Sequence, residues 1–152
     1  MNAKPLILLL TDFSEASFQA FPPTVELAER IGAHIHLVHM VQDLLVIPHG
    51  APLAAPVSMT PEGIEALGRR AEMEIEAARE RLGNTVEVQT AVLCGERVED
   101  QIGSYAEEHA PDFIAMATHG RSGIRRVLMG SVAEAVMRHT KLPLWVFPLT
   151  AP

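Results

Sequence analysis

Five consecutive apolar residues, Leu6-Ile7-Leu8-Leu9-Leu10, stop abruptly at the polar pair Thr11-Asp12. A strand with one face in water alternates apolar and polar residues, whereas a run without alternation is buried on both faces. Such a strand belongs in a parallel sheet covered on each side. Parallel neighbours in turn require long crossover connections, usually helices.

The rest of the chain supplies them. After Asp12 the spacing turns helical, with Ser17, Phe21, Val25, Ala28 and Ile31 on one face and Gly32 as terminator. Pro22-Pro23 interrupts this phase without resetting it, which predicts one kinked helix or two short collinear pieces. His34–Val41 reads as a second strand. A proline-rich loop over about 42–60, with Pro48, Pro52 and Pro56, has the length of a lid, a binding loop or a plain insertion, and Thr60-Pro61 caps the next helix. Ile64, Leu67, Ala71, Ile75, Ala78 and Leu82 at steps of three and four make that helix the clearest in the chain, ended by Gly83. Then come a strand over Val86–Leu93, a helix over Arg97–His109 with Val98, Ile102, Tyr105 and His109 in phase, and a strand over Asp112–Ala117. A helix over Ser131–Thr140 and a strand over Leu144–Phe147, set between Pro143 and Pro148, close the chain. The expected fold is a single α/β domain over 1–152, a five-stranded parallel sheet with helices on both faces. Ligands of such sheets sit beyond the carboxyl ends of the strands.

Composition narrows the function. With 152 residues, 48% apolar and 20% charged, the chain is an ordinary folded domain rather than a disordered or fibrous one. Twelve Lys and Arg against nineteen Asp and Glu leave a net charge of -7, which argues against nucleic acid as a partner. No segment approaches the roughly twenty apolar residues needed to cross a membrane. The lone cysteine, Cys94, forms no intramolecular disulfide and no signal-like segment opens the chain, so the expected location is cytoplasmic.

The turn after the first strand, TDFSEAS, contains no glycine, so the dinucleotide fingerprint and the P-loop are both absent, as is the G-x-S-x-G elbow of α/β-hydrolases. Glycine appears after the fourth strand instead, where His119-Gly120-Arg121-Ser122-Gly123 leads on to Gly130-Ser131. Ser131-Val132-Ala133-Glu134 has capping-box spacing, which predicts Ser131 as the N-cap. A helix N-terminus beside glycines and Arg121, Arg125, Arg126 and His119 suits an anion, while the same residues also serve simply as turns and a cap. His34 and His36 share one strand face and His39 lies on the other, so the three do not converge on a metal. Cys94 reads as an inert buried thiol, and Met116, Met129 and Met137 as core filler. Glu72, Glu74, Glu76 and Glu80 with Arg69, Arg70, Arg79 and Arg81 read as a solvated helix face.

These motifs, in this order, resemble the universal stress protein family. ATHGRSGIRRVLMGS resembles its G-x2-G-x9-G-[ST] segment, with Gly120 and Gly130-Ser131 in place and Ala117 where the first glycine is usual. LLLTDFSEAS resembles its P-T-D-F-S-E opening, with Leu10 at the proline, LVHMV its second strand, and GSVAEAVMRHTKLPLWV its closing helix and strand. The resemblance implies a Rossmann-like, adenine nucleotide alpha hydrolase-like fold that binds ATP or AMP. Leu10, Thr11 and Asp12 would then lie near the ribose and phosphates, Met40 at the adenine, and Met116, Ala117, Thr118, His119 and Gly120 along the other side. Gly130, Ser131 and Val132 would hold the phosphates, with Mg²⁺ near Asp12. It also implies a homodimer formed through the last strand, Leu144, Trp145, Val146 and Phe147, acting on an unidentified protein partner in a stress response. Two alternatives are a nucleotide-independent dimer that docks partners on its 42–60 loop and a small hydrolase using Asp12 and His119. No nucleophile–base pair is evident, so no catalytic residue is assigned and at most slow ATP hydrolysis is expected.

Overall fold

In the computed structural model, which describes residues 4–42, 60–95, 97–118 and 131–148, every residue of β1 (Leu6–Thr11) is buried. The chain continues through α1 (Glu15–Phe18), α2 (Phe21–Ile31), β2 (His34–Gln42), α3 (Pro61–Glu80) and β3 (Val88–Gly95). It ends through α4 (Val98–His109), β4 (Phe113–Ala117), α5 (Ser131–His139) and β5 (Leu144–Phe147). The strands form one parallel sheet in the order β3-β2-β1-β4-β5, as the unalternating first strand predicted. Leu8 of β1 stands opposite His36 of β2 on one side and Ile114 of β4 on the other.

Alternation along β1 feeds two separate cores. Ile7 and Leu9 join Phe21 and Ala28 of α2 and Ile75 and Ala78 of α3 on one face. Leu8 and Leu10 join Val98 and Ile102 of α4 and Ala133 and Val136 of α5 on the other. Both neighbours of β1 are strands and both its faces are helix-covered, so no position in it tolerates a polar side chain without a partner.

Pro22-Pro23 resolves as two pieces rather than a kink. The prolines fall in the first turn of α2, where backbone N–H groups have no intrahelical acceptor to lose. Gly32 ends that helix in the left-handed conformation at φ 68°. Thr60 caps α3 as expected, its hydroxyl accepting from the Gly63 N–H at 3.2 Å. Three apolar positions leave the core. Ile31 is the last residue of α2, Leu67 precedes the buried stretch Ala71, Ile75 and Ala78 of α3, and Met137 follows Val136 around the helix toward water; all three are exposed.

Between β2 and α4 lies a cluster of aromatic polar groups. His36 is 5% exposed, and its Nδ1 is 2.9 Å from the Tyr105 hydroxyl. His109 stacks on Tyr105 at 4.0 Å, while the His34 and His109 rings stand 5.5 and 5.3 Å from His36. Burial lowers the His36 pKa below its usual 6.5; His34 and His109 push the same way, and Glu87 opposes them. The Tyr105 phenol is pushed up, by burial first and Glu108 second.

Ile7→Ala, at a fully buried site, should cost about 2–5 kcal/mol in urea denaturation, while Met73→Ala on the exposed side of α3 should stay within about 0.5 kcal/mol. His36 contributes a pH dependence of known sign. Above about 6.5 it is neutral in both states and its contribution is complete; below that the unfolded chain takes up the proton first, so stability falls with pH. Urea midpoints at about pH 7.5 and 5.5 should therefore differ less in His36→Gln than in the unaltered protein.

Candidate functional site

β1 and β4 are neighbours in the sheet, yet the chain leaves β1 toward β2 on one side and reaches β4 only after β3. Such a reversal opens a crevice beyond the carboxyl ends of the two strands, because their following connections diverge to opposite faces. The β1–α1 turn forms one wall.

That turn is held by its own side chains rather than by glycine. Phe13 has a left-handed backbone at φ 64°, a conformation that costs a non-glycine residue about 1–3 kcal/mol. Its N–H donates to Thr11 Oγ1 at 3.1 Å. The Ser14 N–H and hydroxyl both donate to Asp12 Oδ1, at 3.0 and 2.5 Å, forming an Asx turn. Ser14 Oγ then caps α1 by accepting from the Ser17 N–H at 3.1 Å. Ser17 Oγ donates to the Ser14 carbonyl and lies 2.9 Å from the buried Thr11 hydroxyl. From β2, His39 stacks on Phe13 at 4.0 Å with Nδ1 2.8 Å from the Thr11 carbonyl oxygen. A carbonyl only accepts, so Nδ1 carries the proton. From the far side the Arg81 guanidinium covers the Phe18 ring at 4.1 Å and bonds Glu15 at 3.1 Å.

The predicted residues fall into two groups by face. Leu10, Met40, Met116 and Val132 pack against one cluster, so residues far apart in sequence converge on an apolar shelf under α4 and α5. Thr11 and Ala117 point the other way; Ala117 is 8% exposed and packs in the cluster that holds Phe147. Asp12 is half-buried at the rim, and the Thr118 N–H donates to the Phe147 carbonyl at 3.0 Å, tying β4 to β5 at its end. His119, Gly120 and Gly130 lie outside the described residues, as do Arg121, Arg125, Arg126, Met129 and nearly all of the proline-rich loop.

α5 runs from Ser131 to His139, and the Glu134 carboxylate pairs with Arg138 at 2.6 Å, on the helix surface. Cys94 is exposed rather than buried: it shares the α3-covered face of Val88 and Val92 but stands next to the last residue of the edge strand β3; partial desolvation and then Glu72 still push its thiol pKa up, against thiolate reactivity. The faces of His34, His36 and His39 are as expected, and among the described residues no group of three His, Cys, Asp or Glu is placed to hold a metal. Nothing in the sequence pattern pointed to the strained Phe13 or to His39 beneath it. The available signal was the Asp-x-Ser spacing of Asp12 and Ser14, which fits an Asx turn. Among the described residues no helix is long and apolar enough to cross a membrane.

A parallel sheet wound from one central strand in both directions, with a glycine-free polar turn at its switch point, defines a Rossmann-like α/β domain. The universal stress protein family model matches residues 6–148, and the chain belongs to that family. A universal stress protein of Methanocaldococcus jannaschii is 29% identical over 146 residues, covering 95% of this chain and 82% of the relative. Among solved structures, the universal stress protein from Archaeoglobus fulgidus in complex with dAMP aligns with a TM-score of 0.60 at 20% identity, covering 96% of this chain and 98% of that one. A universal stress protein in complex with cAMP aligns at 0.58 and 19% identity, covering 98% and 100%. At these identities the two structures establish the shared fold.

Replacing the Thr11 hydroxyl with a methyl strands the Phe13 N–H and one side of Ser17 Oγ. Thr11→Val should therefore lower stability by about 1–3 kcal/mol in chemical denaturation, despite its nearly unchanged volume.

Proposed function

We propose that this universal stress protein binds an adenine nucleotide, ATP or AMP, beyond the carboxyl ends of β1, β2 and β4. In this reading it acts as a regulatory dimer whose nucleotide state biases its contacts with a protein partner. The observation that carries the reading is the convergence of Leu10, Met40, Met116 and Val132 on one shelf, beside the Thr11–Asp12 turn and the start of α5. An apolar shelf suits the flat face of a base, and free N–H groups at a helix start suit phosphate. Relatives of the same fold in complex with dAMP and cAMP support adenine as the base.

Thr11 and Asp12 would meet the ribose and phosphates and Met40 the adenine, with Met116 beside it on the shelf and Ala117 and Thr118 continuing along the end of β4. His119 and Gly120 would follow them, and Gly130, Ser131 and Val132 would hold the phosphates. Mg²⁺ usually binds through one or two carboxylates and the substrate's phosphates, and Asp12 offers one such carboxylate at the rim. When bound, the ion would neutralise phosphate charge beside Asp12. The Ala117 methyl is no obstacle on the shelf side, since it packs on the other face with Phe147.

The dimer would form through β5, which is an edge strand of the sheet among the described residues. Trp145 and Phe147, 4.5 Å apart, cover the core beside it.

Gly130→Arg places a long cationic side chain in the proposed phosphate site. In calorimetric titration with AMP and with ATP plus Mg²⁺, its bulk should weaken binding at least about tenfold. Unaltered affinity would remove Gly130 from the site. No heat of binding in the unaltered protein would favour a nucleotide-independent dimer.

A further inference from the structure

Gln101, in the first turn of α4, carries a side-chain amide whose Oε1 and Nε2 are both buried and, among the described residues, have no hydrogen-bond partner. Buried amides are almost always paired, because an unmade hydrogen bond costs the full desolvation of each group. This one is also accommodated by a specific gap. A Cβ on Gly95 would lie 2.9 Å from Nε2 and 3.1 Å from Cδ, so the amide occupies space that any larger residue at the end of β3 would fill.

Its location connects it with the proposed base site. Gly95 is the last residue of β3 and pairs with Gln42, while Leu93 two positions earlier pairs with Met40. Leu93 and Met40 both pack against the cluster that includes Leu10, Met116 and Val132, and by the two-residue period of a strand Gly95 faces the same way. The shelf thus runs from β4 across β1 and β2 to β3, where the Gln101 amide lies against Gly95, one strand over from β2 and two residues beyond the Leu93 that pairs with Met40. A primary amide presents a donor beside an acceptor. An adenine edge presents the complementary pair, the exocyclic amine beside a ring nitrogen, and Gln is a suitable bidentate partner for it.

We infer that Gln101 is a specificity-determining residue that hydrogen-bonds the amine-bearing edge of a bound adenine, with Gly95 holding the space for its amide. The inference rests on the nucleotide reading given above. Its test compares AMP with purine riboside 5′-monophosphate, which lacks the exocyclic amine, by calorimetric titration of the full chain and of Gln101→Met, a change that keeps the side-chain length. The unaltered protein should prefer AMP by about tenfold or more, and Gln101→Met should lose that preference by weakening AMP while leaving the analogue within about threefold. Equal affinity of the unaltered protein for both ligands, or equal weakening of both in Gln101→Met, would overturn the assignment and leave nucleotide binding intact. Failure of the unaltered protein to bind either ligand would overturn the nucleotide reading and this inference with it.

Discussion

Burial of β1 on both faces and along both edges is the constraint from which the other elements take their places. Ile7, Leu8 and Leu9 expose no surface at all, and the strand separates two cores that do not mix. A strand so placed needs a hydrogen-bonded neighbour on each side and a helix layer above and below, since nothing in it is compatible with water. Asp112 secures the register at the amino end. Its N–H donates to the Leu6 carbonyl at 2.9 Å, and its carboxylate accepts from the Leu6 N–H at 2.8 Å. With that end fixed, the carboxyl ends of β1 and β4 arrive side by side and the crevice follows from topology alone.

At that crevice the protein stabilises a strained backbone without glycine. Phe13 is kept left-handed by a hydroxyl, a carboxylate, a capping serine and a stacked imidazole, each contributed by a residue whose own polar groups are satisfied in the process. Glycine-rich loops achieve close approach by omitting side chains. Here the same turn is made stiff by supplying them, and the stiffness extends to α3 through Arg81 on Phe18 and Glu15. The rim that bears Thr11 and Asp12 is thus positioned from three elements at once.

Most of the fold was legible because it depends on periodicity. The unalternating Leu6–Leu10 run, the three-and-four spacing of Ile64 to Leu82 and the positions of Gly32 and Pro143 each report local geometry, and each is realised. Leu10, Met40, Met116 and Val132 were singled out one by one from strand ends and a resemblance; that all four pack against one cluster is a finding of the structure. Features that depend on distant partners were not legible. Phe13 is held by His39 from another strand, Gln101 is defined by what it fails to touch among the described residues, and Cys94 is exposed because β3 is an edge strand that ends one residue later. A capping-box spacing does not state what Glu134 will pair with, and here Arg138 takes it.

The central position of β1 also orders the events of synthesis. β1 leaves the ribosome before every other strand, yet one of its edges is filled only by β4, with Leu6 and Asp112 separated by 106 positions. β2 and β3 become available on its other side first, so a growing chain holds half a sheet whose most apolar strand presents an open edge. Open edges of this kind recruit other chains. Until Phe113–Ala117 emerges, that edge of β1 has no partner from its own chain, which makes the interval before β4 the one in which pairing with another chain competes with folding.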